Sequence, residues 1–182
     1  MPRRTELTCR CGKVHVTVEA EPMIVAECEC NSCRQGAAFL ATLPGAGTVT
    51  EVSGGTHYVL YRKDRVSFTA GAQYLLGYRL TGKSHTRRVV AACCNTPIFV
   101  EFKQGHWLSL YGKLWPAATR PPATLRTMMS DLPAGTVLPG DIPGYRTQSV
   151  GFFWALLTAW AAMGFRVPKV AVAEERVIAD GA

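Results

Sequence analysis

The chain has 182 residues, 48% of them apolar and 18% charged, which excludes general disorder and fits one domain or one domain with an appendage. Its formal charge is +7, but the basic residues are scattered apart from Arg62-Lys63-Asp64-Arg65 and Arg87-Arg88. A solvated surface, or a small anionic ligand, is therefore favoured over nucleic acid.

The first residues, Met1-Pro2-Arg3-Arg4-Thr5-Glu6, hold no apolar stretch and predict no signal peptide. Cys9-Arg10-Cys11-Gly12 then feeds a half-buried strand, with Val14, Val16 and Val18 alternating against His15, Thr17 and Glu19. Gly12 supplies the backbone angle that a tight turn between two cysteines needs. After Glu21-Pro22 a short apolar run, Met23 to Ala26, leads into Cys28-Glu29-Cys30-Asn31-Ser32-Cys33-Arg34. The segment from Arg34 to Leu43 reads as a helical turn continuing into a strand. Further strands are predicted at Val66-Ser67-Phe68 and over 73–80. Val89 to Val100 reads as strand, turn, strand, with Cys93-Cys94 at the turn. Short strands with Gly and Pro punctuation and no long helical pattern predict an antiparallel, mainly β body.

From Pro116 the composition changes. Six prolines between 116 and 143 predict an extended wrapping segment, with one short helix around Thr124–Leu132. Ser149 is placed to cap a helix, and the run Val150 to Phe165 is apolar on all sides. Arg146 and Arg166 bracket 19 uncharged residues, borderline for a membrane span. Burial against the β body or a second subunit is favoured over membrane association. The expected organisation is a domain over 5–115 with a segment over 116–182 packed on it.

All seven cysteines fall in three clusters: Cys9 and Cys11; Cys28, Cys30 and Cys33; Cys93 and Cys94. An odd number in C-x-C and C-x-x-C spacing reads as metal binding rather than disulfides, and so predicts a reducing, cytoplasmic setting. Four thiolates on one Zn²⁺ would carry −2 and three on another −1, lowering the formal +7 to +4. Three sulfurs within six residues, Cys28 to Cys33, suit a tetrahedral ion whose fourth position stays open, the pattern of catalytic zinc. Cys93 has three alternatives: joining Cys9, Cys11 and Cys94, closing the Cys28 cluster, or remaining a spectator thiol.

Together, Cys9-Arg10-Cys11-Gly12, the C-x-C-x-x-C run from Cys28 to Cys33 and Cys94-Asn95-Thr96-Pro97 resemble the glutathione-dependent formaldehyde-activating enzyme family, which includes centromere protein V. The likeness covers residues 5 to about 112. It implies a small antiparallel β-tent zinc-binding fold, here with a C-terminal extension containing an apolar helix. It places Cys28, Cys30 and Cys33 on a catalytic zinc and Cys9, Cys11 and Cys94 on a structural one. Position 91, where the family has a fourth structural ligand, holds Ala91, and Cys93 stands nearby. The implied activity is that of a carbon–sulfur lyase joining a small aldehyde to a small thiol such as glutathione, with two Zn²⁺ per chain. Arg34 is the candidate partner for a substrate carboxylate. The alternative is a non-catalytic module in which both ions staple a β fold that binds a protein.

Overall fold

The computed structural model describes residues 3–178. Its strands are β1 (Arg4–Thr8), β2 (His15–Glu19), β3 (Ile24–Cys28), β4 (Thr56–Arg62), β5 (Val66–Ala70), β6 (Leu75–Arg79), β7 (Thr86–Ala91), β8 (Thr96–Phe102), β9 (Trp107–Tyr111), β10 (Leu125–Thr127) and β11 (Glu174–Val177). Two α-helices, α1 (Asn31–Thr42) and α2 (Val150–Ala162), accompany them. The protein is mainly β, in a three-stranded sheet ordered β1-β2-β5 and an eight-stranded sheet ordered β10-β3-β4-β9-β8-β7-β6-β11.

The large sheet is buried on both faces, and the alternation of its strands assigns side chains to each. Val59, Tyr61, Val89, Ile98 and Leu108 face the small sheet and meet Leu7, Val14, Val16 and Val18. Tyr58, Leu60, Val90, Val100 and Tyr111 face the other way, toward Ala37 and Leu40 of α1 and Leu156 of α2. A strand covered on both sides loses its polar face, and β4 accordingly reads Thr-His-Tyr-Val-Leu-Tyr with six consecutive buried residues.

The inner pairs of the large sheet are antiparallel, as predicted. Its two outermost strands are not: β10 joins β3 and β11 joins β6 in parallel register. Both come from the segment beyond residue 115, which thus extends the same sheet at each end. They are short, three and four residues, which limits the unpaired backbone offered to other chains.

Two local predictions are corrected. The stretch after Cys33 does not turn into a strand but continues as helix to Thr42. The Cys30 side chain accepts from the Cys33 N–H at its start, and the small residues Gly36 and Ala37 let it lie close on the sheet. The short helix predicted around Thr124–Leu132 is instead β10 followed by one 3₁₀ turn, Met129–Asp131. The pull of the open β3 edge is reinforced by Arg126, which bonds Glu27 Oε2 and Asp141 Oδ1, each at 2.8 Å. In α2 the Ser149 hydroxyl caps the Phe152 N–H at 3.1 Å, but burial is one-sided. Leu156, Ala159 and the following Met163 are covered while Phe153, Trp154 and Leu157 are exposed. Among the described residues no helix is long and apolar enough to cross a membrane.

Candidate metal centres

The turn before β2 and the β7–β8 turn meet at one end of the sandwich. There the sulfurs of Cys9, Cys11, Cys93 and Cys94 all lie within 4.8 Å of one another. Cys9 Sγ is 3.6 Å from Cys11 Sγ and 3.8 Å from Cys93 Sγ, and Cys11 and Cys93 are 3.3 Å apart. Sulfurs sharing a tetrahedral ion through bonds near 2.3 Å would be separated by about 3.8 Å, so this group has the size of a four-thiolate site. Adjacent residues reach one ion only where the chain turns. Here the Cys94 N–H bonds the Ala91 carbonyl at 3.0 Å, and Asn95 takes a left-handed angle of 55°. Ala91 itself is fully buried in the core. The Thr96 hydroxyl accepts from the Arg10 N–H at 3.1 Å and lies 3.0 Å from Cys94 Sγ. Burial works against ionising Cys94, but hydrogen bonds from Thr96 and nearby backbone N–H groups outweigh it and bring its pKa down to about 6.

The second group is Cys28 at the end of β3, Cys30 at the cap of α1 and Cys33 in its first turn, again mutually within 4.8 Å. Cys33 Sγ is 3.5 Å from Cys28 Sγ, and the Tyr58 hydroxyl donates to Cys33 Sγ at 3.6 Å. Burial holds the Tyr58 phenol well above its usual range, so it stays a donor. Negative charge concentrates on Cys30, whose pKa falls to about 3. The causes, in order, are hydrogen bonds from the Cys28 and Cys33 thiols, the Cys33 N–H and the positive charge of Arg88. Sharing that charge pushes Cys28 up to about 11. A thiolate beside a helix N-terminus and a guanidinium is the arrangement that activates sulfur for metal binding. Among the described residues this group contains three ligand side chains, the other four.

The three-sulfur group opens onto a cavity of about 450 Å³. Its floor is every second residue of five neighbouring strands: Ala26 and Cys28, Tyr58 and Leu60, Ser109 and Trp107, Val100 and Phe102, Arg88 and Thr86. Ser32 and Cys33 of α1 wall one side, and Phe152, Phe153 and Leu156 of α2 wall another. Arg34, the predicted carboxylate partner, does not line it. Its guanidinium holds Glu29, with Nη2 at 2.9 Å from Oε2 and Nε at 3.1 Å from the carbonyl oxygen. Glu29 is wholly buried, in space left by Gly55, where an added Cβ would lie 2.2 Å from Oε1. Arg87 likewise pairs with Glu101 and Glu175. Tyr58, Ser32 and the α2 aromatics are site residues that motif reading did not find. The strand alternation of β4 could have pointed to Tyr58, because Tyr58 shares a face with Leu60.

The fold and its two sulfur groups define a mainly β protein with two candidate thiolate metal centres. The DUF6151 family, described as a family of unknown function, matches residues 1–115, and the chain belongs to that family. The match spans β1 to β9 and all seven cysteines. No curated protein matches the chain. A crystal structure of a Rhodobacter sphaeroides protein, from a structural genomics programme, is similar at 16% identity and a TM-score of 0.45, over 78% of this chain and all of that one.

Proposed function

We propose that the protein is a zinc-dependent carbon–sulfur lyase that forms or cleaves adducts between a small thiol and a small aldehyde. The observation that carries this reading is the contrast between the two groups. Four sulfurs close one site at the rim of the sandwich, while three sulfurs face a cavity with no fourth protein ligand among the described residues. Cys9, Cys11, Cys93 and Cys94 would hold one Zn²⁺ as a staple, and Cys28, Cys30 and Cys33 the other. Zinc held in the three-sulfur site would supply Lewis acidity that lowers the pKa of an entering thiol.

The chain's own residues then do the rest. The apolar walls from β8, β9 and α2 keep water from competing for the aldehyde. Tyr58 donates to Cys33 and fixes that sulfur's direction. In the forward reaction the thiol sulfur attacks the carbonyl carbon, a carbon–sulfur bond forms, and the proton lost by the thiol ends on the carbonyl oxygen. The reverse breaks the same bond, and no oxidant or other co-reactant is consumed. The small-aldehyde and glutathione assignment is supported by the resemblance of the cysteine motifs to the formaldehyde-activating family.

The test is the exchange rate of glutathione and formaldehyde with their adduct, read by two-dimensional exchange NMR against the appreciable spontaneous rate. The unaltered protein accelerates exchange and Cys30→Ser does not. Equal exchange with and without metal-loaded protein contradicts the lyase reading and leaves a metal-stapled β module.

A further inference from the structure

Among the described residues three lysine or arginine side chains are buried, and two of them sit on carboxylates. Lys63 Nζ is 2.5 Å from Glu101, and Arg126 is 2.8 Å from both Glu27 and Asp141. Arg88, only 1% exposed, has no carboxylate partner among the described residues. Its Nη2 donates to the Ser32 carbonyl oxygen at 2.6 Å and the Ser32 hydroxyl at 2.8 Å. Its Nη1 is buried and has no hydrogen-bond acceptor, not even a sulfur of the neighbouring group. A buried, incompletely bonded guanidinium costs stability unless an anion completes it.

The fold also makes room for this side chain. Gly36 lies inside α1, where glycine is less favourable than alanine. A Cβ there would fall 1.9 Å from Arg88 Nε and 2.7 Å from Cδ. The helix therefore gives up propensity to lie against the guanidinium. Arg88 lines the cavity along with Cys28, Cys30 and Cys33, while Val100, Phe102, Trp107 and Phe152 make much of the remaining wall apolar.

We propose that Arg88 binds a carboxylate of the ligand that enters this cavity. Under the function proposed above, on which this assignment rests, that ligand is the thiol itself. One unbonded N–H edge beside a thiolate group suits a carboxylate better than a phosphate, whose second charge would face the sulfurs unpaired. Arg34 is excluded from the role by its engagement with Glu29.

The experiment is calorimetric titration of the full-length, metal-loaded protein with 3-mercaptopropionate, its neutral counterpart 3-mercapto-1-propanol, and 3-phenylpropionate, which has no sulfur. The carboxylate thiol should bind roughly tenfold to a hundredfold more tightly than the alcohol thiol, the range for a hydrogen bond to a charged group. Arg88→Met should remove that difference between the two thiols and abolish binding of 3-phenylpropionate. Equal affinity of the two thiols for the unaltered protein overturns the proposal, and this comparison does not depend on how well the variant folds. Arg88-dependent binding of 3-phenylpropionate, with no added affinity from either thiol, upholds the carboxylate site and defeats the thiol reading instead.

Discussion

At the scale of single residues, the Gly36–Arg88 contact makes an unusual prediction. Replacing an interior helical glycine with alanine ordinarily stabilises by about 0.5–1 kcal/mol. Here Gly36→Ala should destabilise by roughly 1–3 kcal/mol, as overpacking does, because the new methyl group must displace a guanidinium held by Ser32. In an Arg88→Ala background the same change should revert to neutral or stabilising. Chemical denaturation of the four proteins in this cycle measures the coupling. An equal loss in both backgrounds would mean that the methyl group meets something other than Arg88. This residue pair also marks the limit of sequence reading. The cysteines were legible because their spacing is itself the chemistry: C-x-C and C-x-x-C bring sulfurs to one ion whatever surrounds them. Arg88 was less so: with His85 and Arg87 it could reach the same cleft, but each reads more readily as surface charge, and only the strand register turns one arginine toward Glu101 and the other into the cavity. Glu29 is hidden too: flanked by two cysteines it reads as a solvated carboxylate, and only the fold buries it against Arg34.

Among the elements, α2 couples the C-terminal segment to the cavity. Leu156 packs on the large sheet, and the Trp160 ring stacks on His106 with centroids 5.7 Å apart and planes at 12°. Met163 is 2% exposed, while Trp154 on the opposite side is 65% exposed. Met163→Ala should cost about 2–5 kcal/mol, as buried methionine truncations do, and Trp154→Ala no more than about 0.5 kcal/mol. Urea midpoints of the two variants check this. Similar losses would mean that α2 docks by a different face. The apolar run made the helix legible and Ser149 made its start legible, but apolarity on all sides carried no information about which side faces the sheet. The strands β10 and β11 were hidden for a related reason. Their parallel pairing is set by open edges of β3 and β6 far away in sequence, and three or four residues hold too little periodicity to show it.

For the whole molecule, one sandwich carries two sulfur groups with different surroundings. The β2 and β7–β8 turns bring four sulfurs together away from the cavity. The end of β3 and the start of α1 present three sulfurs to a space enclosed by the sheet and α2. Of the three alternatives for Cys93, the sulfur distances group it with Cys9, Cys11 and Cys94, which leaves three sulfurs in the second group among the described residues. Under the proposed function this second group accepts a thiol in its remaining position. The most direct measurement of this is the visible spectrum of protein carrying two Co²⁺ per chain, titrated with 2-mercaptoethanol. The expected result is a saturable spectral change, absent in Cys33→Ala and retained in Cys93→Ala. A spectrum unmoved by any small thiol, in protein that holds both ions, would contradict it.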